Sequence, residues 1–380
     1  MDFDFNHQQL EFQEAFRDFL TRNYTLAQAC ASLKNTQLRS QIWSGLTDLG
    51  TFAMLVPAAQ GGLGLSPVDL ALVLEELGRA LAPMSVGDTL LATDLINRFG
   101  SADQKQRLLG KITAGELRIS LAAAETDSFR PANMATRATA KGARWTLSGR
   151  KILVPEADKC GLIAVVCRMA TGADLAIALI EPDRPGISLR EHATLDLTCP
   201  YHELHLNQVG IGAGDLLGPA AGSPAALRLA DGASTFASLQ MMGIAGKMLE
   251  SSVQYATDRV QFGKPIGSFQ AIKHRCADMA VSTDAGRTAA YYAAWAFAED
   301  AADRGLAAST AKAFCGDAAR FVCNEGIQIH GGMGFTWEND LHLYYRRAKA
   351  SETMFGDATF HRERIARLTI DTAARSAKSA

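Results

Sequence analysis

Two short runs hold the residue types that could do chemistry. The first is Arg259-Val260-Gln261-Phe262-Gly263-Lys264, followed by Ser268-Phe269-Gln270. An arginine fork suits phosphate oxygens, and a phenyl face suits a heterocycle. Taken alone, the same run reads as a helix C-cap with a basic last turn. The second is Gln328-Ile329-His330-Gly331-Gly332-Met333-Gly334-Phe335. Its glycines let a ligand approach the backbone, whose N–H groups can meet a phosphate. They serve equally as a helix-to-loop turn that needs positive φ. His330, set among glycines, reads as a structural hydrogen-bonding residue rather than a catalyst, and Arg346, Arg347 and Lys349 read as a solvated basic face.

Other chemistries find little support. Gly210-Ile211-Gly212-Ala213-Gly214 lacks the G-x-G-x-x-G spacing and any βαβ surroundings, so it reads as a turn. A redox cofactor would have to be held without a Rossmann unit. There is no nucleophile elbow and no H-E-x-x-H, so hydrolase and zinc readings are weak and no metal site is predicted. Seven cysteines are scattered without a C-x-x-C, which suggests mostly buried thiols in a reducing cytoplasm.

The elements that position these runs follow from composition and periodicity. At 380 residues, with 48% hydrophobic and 21% charged residues and a net charge of −2, the chain should form two or three packed units and not a disordered one. Nothing in those totals favours nucleic acid as a partner. Met1-Asp2-Phe3-Asp4 is acidic, with no apolar h-region after it, so a secretory signal is not expected. The most apolar stretch, 160–170, is interrupted by Arg168 and is too short to span a membrane, which leads to the expectation of a soluble cytoplasmic protein.

The texture changes twice along the chain. Residues 1–117 are helical in period: Asn6 and Gln9 form a capping box before the stripe Phe12, Ala15, Phe16, Phe19 and Leu20. Ser66-Pro67 with Asp69 predicts an N-cap, a proline at N1 and an acidic N3 for an amphipathic run through Leu81, and Gly78 inside it suggests a close helix contact. Residues 118–222 read as β, with short apolar runs at 145–154, 162–166, 175–180, 187–189 and 202–206 in the rhythm of a small sandwich or barrel. Residues 223–380 return to long helices, predicted at 226–258, 268–303, 306–328 and 357–376, as in an antiparallel bundle.

In this order, the pieces resemble the acyl-CoA dehydrogenase family over nearly the whole chain. The resemblance rests on 56–64 (Val-Pro-Ala-Ala-Gln-Gly-Gly-Leu-Gly), Glu75-Glu76-Leu77-Gly78, Gln104-Lys105-Gln106-Arg107-Leu108, Ser148-Gly149-Arg150-Lys151, the two runs above and Arg346-Arg347-Ala348-Lys349. It implies an α+β multidomain fold: an N-terminal α-helical domain, a middle β-barrel or sandwich domain and a C-terminal four-helix bundle. It also implies a tetramer with FAD between subunits, an acyl-CoA substrate and an electron-transfer flavoprotein-like acceptor. The reaction is α,β-dehydrogenation, in which a carboxylate removes the α-proton while the flavin takes a hydride from the β-carbon.

The sequence departs from that pattern where the chemistry is done. The usual glutamate base falls at Phe355, followed by Gly356-Asp357. Its alternative place on the first bundle helix is Ala233, with Ser234 where an arginine commonly stands. No catalytic residue is therefore assigned, although Glu352, Asp357 and Asp231 lie nearby as substitutes. The flavin loop T-E-P-x-x-G-S-D reads Glu125-Thr126-Asp127-Ser128-Phe129-Arg130-Pro131, and the W-x-T segment reads Leu153-Val154-Pro155. Asp357 and Thr359 replace the Thr and Gln that usually contact FAD. By contrast, the residues that reach a neighbouring subunit's FAD in the family stand unaltered as Arg259, Phe262, Gln270, Gln328, Gly331 and Gly332. The pattern suggests a base-lacking subunit of a hetero-oligomer with a glutamate-bearing partner, acting on a bulky, steroid-like acyl-CoA. A self-sufficient homotetramer with an unusual base and a non-enzymatic scaffold of the same fold are the alternatives.

Overall fold

The computed structural model of the chain describes residues 5–32, 35–126, 133–142, 144–169, 175–218 and 224–371. The acidic start and most of the altered flavin loop, Asp127 to Pro131, lie outside them. Helices α1 (His7–Asn23), α2 (Leu26–Ser32), α3 (Thr36–Asp48), α4 (Leu70–Arg79), α5 (Met84–Phe99) and α6 (Ala102–Thr113) come first. Asn6 and Gln9 do form a capping box at α1, and Ser101 and Gln104 form a second at α6. Gln104 also donates to the carbonyls of Gly214 and Leu216, at 3.0 and 3.1 Å, and so ties α6 to the far end of the β region.

Helix α4 starts later than the sequence suggests. The Asp69 carboxylate accepts the Ser66 N–H at 2.8 Å and the Ser66 hydroxyl accepts from Val68 N at 3.2 Å. These bonds hold 66–69 as a turn, so the helix begins at Leu70, and it stops before Leu81, whose φ is 52°.

The middle region is a mixed sheet of β1 (Ile119–Ala122), β2 (Arg137–Lys141), β3 (Arg144–Pro155), β4 (Leu162–Met169), β5 (Leu175–Ile180), β6 (Ile187–His192), β7 (Tyr201–Ile211) and β8 (Leu216–Leu217). The order is β6-β7-β3-β2-β4-β5-β8, with β1 and β2 sharing one edge of β4 in parallel pairings. The sequence pattern missed β1, β2 and β8, which are too short or too polar to announce themselves. Gly210-Ile211 closes β7 and is strand, not turn; only 212–215 turns.

Helix α7 (Pro224–Asp258) leads into a hairpin of β9 (Val260–Gln261) and β10 (Lys264–Pro265). Then follow α8 (Gln270–Ala298), α9 (Arg304–His330), α10 (Gly332–Phe335), α11 (Leu341–Thr353) and α12 (Ala358–Ala366), which runs into a π-turn over Arg367–Asp371. Residues 372–376 of the last predicted helix lie outside the described residues. The α8 prediction overran because Asp300, at φ 52°, reverses the chain. Helix α11 was missed, and the basic run on it was misread: Arg347 is 3% exposed, so it is not part of a solvated face.

Arg347 instead joins three regions. Its Nε donates to Asp196 at 2.6 Å, one Nη to the Thr198 hydroxyl at 2.6 Å, and the other to the Ala82 carbonyl at 3.1 Å. Arg228 on α7 does similar work against Asp94 on α5, at 2.5 and 2.8 Å. The Glu75-Glu76 pair divides its partners: Glu76 accepts from Arg17 on α1 and Glu75 from Arg287 on α8. Helices α4 and α7 then touch backbone to backbone. A Cβ on Gly78 would lie 2.0 Å from the Gln240 carbonyl oxygen, and one on Gly243 would lie 1.9 Å from that of Glu75.

Two outcomes follow from this packing. Gly243→Ala should destabilise the chain by at least about 1–3 kcal/mol in chemical denaturation, because the obstructing atom is backbone and cannot rotate away. An unchanged midpoint would mean the helices separate freely. Arg347→Met should cost about 3–5 kcal/mol by stranding the buried Asp196 carboxylate, and adding Asp196→Leu should restore much of it. If the double variant were no more stable than the single one, the unpaired charge would not be the cause.

Candidate functional site

Helices α7, α8 and α9 alternate in direction, so the end of α7, the start of α8 and the end of α9 share one end of the bundle. This brings together all six residues singled out for cofactor contact. Arg259 closes α7 through its N–H to the Tyr255 carbonyl at 2.9 Å, and its exposed guanidinium makes no ion pair among the described residues. Phe262 stands at the hairpin tip at φ 53° and 91% exposed, edge-on to Phe269 at 6.1 Å. Gln270 opens α8 and Gln328 lies near the end of α9, both exposed. Gly331 (φ 59°, ψ −135°) turns the chain, its N–H donating to the Gln328 carbonyl at 3.1 Å, and a Cβ on Gly331 or Gly332 would meet nothing within 4 Å, so the approach to this backbone is open. His330 props this loop from inside. Its Nδ1 lies 2.8 Å from the Gly326 carbonyl oxygen, its ring stacks on Tyr255 at 4.3 Å, and burial lowers its pKa. The exposed fork, ring and amides face outward, as a ligand held by another chain would require.

A cavity of about 600 Å³ opens elsewhere, between strands β4–β5 and helices α7 and α12. Its lining includes Phe355, one base position of the family pattern, and Ser234, the residue next to Ala233, the other. The Ser234 hydroxyl is spent on the Ala230 carbonyl at 2.8 Å. The loop carrying Phe355 (φ 59°) and Gly356 (φ 102°) is pinned from behind. His361 Nε2 lies 3.1 Å from the Phe355 carbonyl oxygen, and the buried Lys312 ammonium donates to the carbonyls of Glu352 and Gly356 at 2.8 and 2.9 Å. Desolvation lowers the Lys312 pKa to about 8 and the His361 pKa to about 3, which leaves the imidazole neutral. Sequence reasoning singled out neither residue, since a buried Lys and His carry no spacing signal.

The nearby carboxylates are committed elsewhere. Glu352 accepts from Arg320 and Lys349, each at 2.7 Å; Asp231 accepts from Arg304 at 2.9 Å and from Arg364; Asp357 caps α12 through Phe360 N at 2.8 Å. None of the three lines the cavity. Glu363 does, at its outer part.

FAD can be tested against both places. At the bundle end the donors, the exposed ring and the bare glycine backbone fit it. At the chain's own flavin positions the fit fails. Pro155 has no N–H, and its carbonyl is taken by the Ser120 hydroxyl at 2.7 Å. Leu153, at φ 55°, and Phe355 pack on one apolar cluster of Met84, Cys199, Tyr201 and Met354. A residue of the flavin-flanking segment and the residue at the base position are thereby drawn together over hydrocarbon. Glu125 survives in a structural role, accepting from Thr136 N at 2.9 Å and from Lys151 at 2.7 Å.

Comparison with known proteins bears on these observations. The chain matches the acyl-CoA dehydrogenase N-terminal domain over residues 6–116, the middle domain over 120–209 and the C-terminal domain over 225–369. It is 30% identical to the probable acyl-CoA dehydrogenase YngJ of Bacillus subtilis, over 97% of this chain and 99% of that one. Among solved structures, it resembles the Tcur3481-Tcur3483 steroid ACAD, with TM-score 0.88 and 29% identity over 97% of this chain and 99% of that one. It also resembles the ChsE4-ChsE5 complex of Mycobacterium tuberculosis, with TM-score 0.86 and 25% identity over 97% and 98%. FAD is the cofactor of this group. No helix among the described residues is long and apolar enough to cross a membrane. The fold, the matched domains and the full-length relative together place the chain in the acyl-CoA dehydrogenase family of oxidoreductases.

Proposed function

We propose that this chain is the base-lacking subunit of a hetero-oligomeric acyl-CoA dehydrogenase, lending its bundle end to the FAD of a glutamate-bearing partner. The observation that carries this reading is the division between the two places. Arg259 and Gln328 are exposed and the approach to Gly331 and Gly332 is open, while Leu153 of the flavin-flanking segment and Phe355 of the base position pack on one apolar cluster and Pro155 has no N–H. Bound FAD supplies a hydride acceptor to the family's reaction. This chain's part is to hold and orient: a guanidinium for phosphate oxygens, amides for the same, and the Phe262 ring as an apolar wall. A self-sufficient site would need a base, and Glu352, Asp231 and Asp357 are each engaged away from the cavity.

Similarity to a steroid ACAD and to a two-component complex supports a bulky, steroid-like acyl-CoA as the substrate and a second chain as the partner. Electrons would leave to an electron-transfer flavoprotein-like acceptor.

The purified chain should be colourless by visible spectroscopy and should acquire flavin absorbance only in complex with its partner. In that complex, Arg259→Ala should weaken FAD retention by about 10–100-fold, the worth of a charged hydrogen bond, with the complex otherwise assembled. Stoichiometric flavin on the isolated chain, bleached by an acyl-CoA, would defeat the proposal.

A further inference from the structure

The contact between α5 and β1 holds a carboxyl with no part in that role. Asp88, on α5, is 5% exposed and makes no ion pair among the described residues. Its Oδ2 accepts the Leu121 N–H at 2.9 Å, and the next residue, Thr89, accepts the Ile119 N–H at 3.0 Å on its hydroxyl. Side chains of one helix thus satisfy two N–H groups of β1. Between those two N–H groups stands Ser120. Its hydroxyl lies against the Asp88 carboxyl and gives its hydrogen to the Pro155 carbonyl at 2.7 Å.

The hydrogen-bond inventory fixes the form of Asp88. A hydroxyl owns one hydrogen, and a carbonyl can only accept. With that hydrogen on Pro155, Ser120 can offer Asp88 nothing but a lone pair. An ionised carboxylate would answer with lone pairs of its own. A protonated Asp88 donates instead, and every group in the row Asp88, Ser120, Pro155 is satisfied.

The surroundings favour the same form, because burying an unpaired carboxylate costs far more than burying the acid. The charged group acting on Asp88 is another carboxylate, Glu156, which accepts from the N–H and hydroxyl of Ser85 one turn earlier on α5. The cations nearby serve Glu156: Arg39 on α3 stands 3.9 Å from it, and Arg118, which lies over Trp43, is drawn to it. Asp158, Cys160, Cys199 and the Arg347–Asp196 pair are the other titratable or charged groups around these two carboxyls among the described residues. Burial, with Glu156 adding to it against the Leu121 N–H, raises the Asp88 pKa to about 8.

We infer that Asp88 is held as the neutral acid and heads a hydrogen-bond relay, Asp88 to Ser120 to Pro155, which ties the flavin-flanking segment 153–155 to β1 and reverses when Asp88 loses its proton. On ionisation the carboxylate becomes an acceptor. The Ser120 hydroxyl then turns its hydrogen to Asp88, the proton leaves to solvent, and the Pro155 carbonyl is released. Proline has no N–H, so that carbonyl is the one backbone group by which Pro155 can be held. The device is internal to this chain and stands whether or not the bundle end serves another subunit's FAD. Its sign is set by linkage. The unfolded chain releases this proton at a pKa of about 3.9, so the stability it contributes is full below that pH and is lost as the pH rises to about 8.

The test uses the full chain alone. Infrared spectra should show a protonated-carboxyl stretch at neutral pH that fades as the pH passes about 8 and is diminished in Asp88→Asn. Asparagine reproduces both the donor and the acceptor of the acid, so this variant should fold. Its folding constant should gain on that of the unmodified chain by about tenfold per pH unit between about pH 5 and 8. With ¹³C in the carbonyls of the 11 prolines, the Pro155 signal, identified by its absence from Pro155→Ala, should shift over the range in which the infrared band fades. In Ser120→Ala it should stay in place. Three results would each overturn the inference: no protonated-carboxyl band in the unmodified chain at neutral pH, a band undiminished in folded Asp88→Asn, or a Pro155 signal indifferent to pH. The first needs no variant to fold.

Discussion

The buried guanidinium of Arg347 is the point on which the three regions depend. Helix α11 carries it inward, where it reaches the connection between α4 and α5 at the Ala82 carbonyl and the β region at Asp196 and Thr198. An ion pair this deep is not a cheap source of stability, because both charges lose their water. What it supplies is geometry. Tyr201, which donates to Asp196 and lies against Met354, passes that constraint to the loop bearing Phe355. The base-equivalent loop is thus tied to a charge pair whose carboxylate, Asp196, comes from the β region.

The same frame presents two surfaces of opposite character. At the bundle end Arg259, Phe262, Gln270 and Gln328 are exposed, and nothing crowds the approach to Gly331 and Gly332. Around the base-equivalent loop, Glu352 and Asp231 are engaged by basic side chains, Ser234 by its own helix, and His361 Nε2 and Lys312 by the loop they pin, while His361 Nδ1 has no partner among the described residues. A site that retains free donors only where another chain could use them is consistent with a supporting role. One that had lost function generally would not be expected to divide its losses by location.

Backbone strain tells a related story. Leu153, Glu156, Phe262 and Phe355 are four of the seven described non-glycine residues at positive φ, a conformation that costs on the order of 1–2 kcal/mol per residue. Three of them sit at the flavin-framing segment or the base-equivalent loop, and the fourth is the hairpin ring. Glu156 shows how such a conformation is held, since its carboxylate accepts from both the N–H and the hydroxyl of Ser85.

Much of the fold was legible in the sequence because local rules fix it. The capping box at Asn6, the period of the long helices and the close contact at Gly78 are all short-range statements. The family motifs added the order of the domains and the six residues at the bundle end. The sequence alone could not show that Arg347 is buried, since its neighbours Arg346 and Lys349 suggest a wet face, and burial depends on Asp196 arriving from another region. Nor could it show β1, β2 and β8, whose pairing energy comes from neighbours distant in the chain. That Leu153 and Phe355 meet over one apolar cluster, and that a cavity remains beside them, was decided only by tertiary packing. Those residues are separated along the chain by the rest of the β region and most of the bundle, and no local preference encodes their contact.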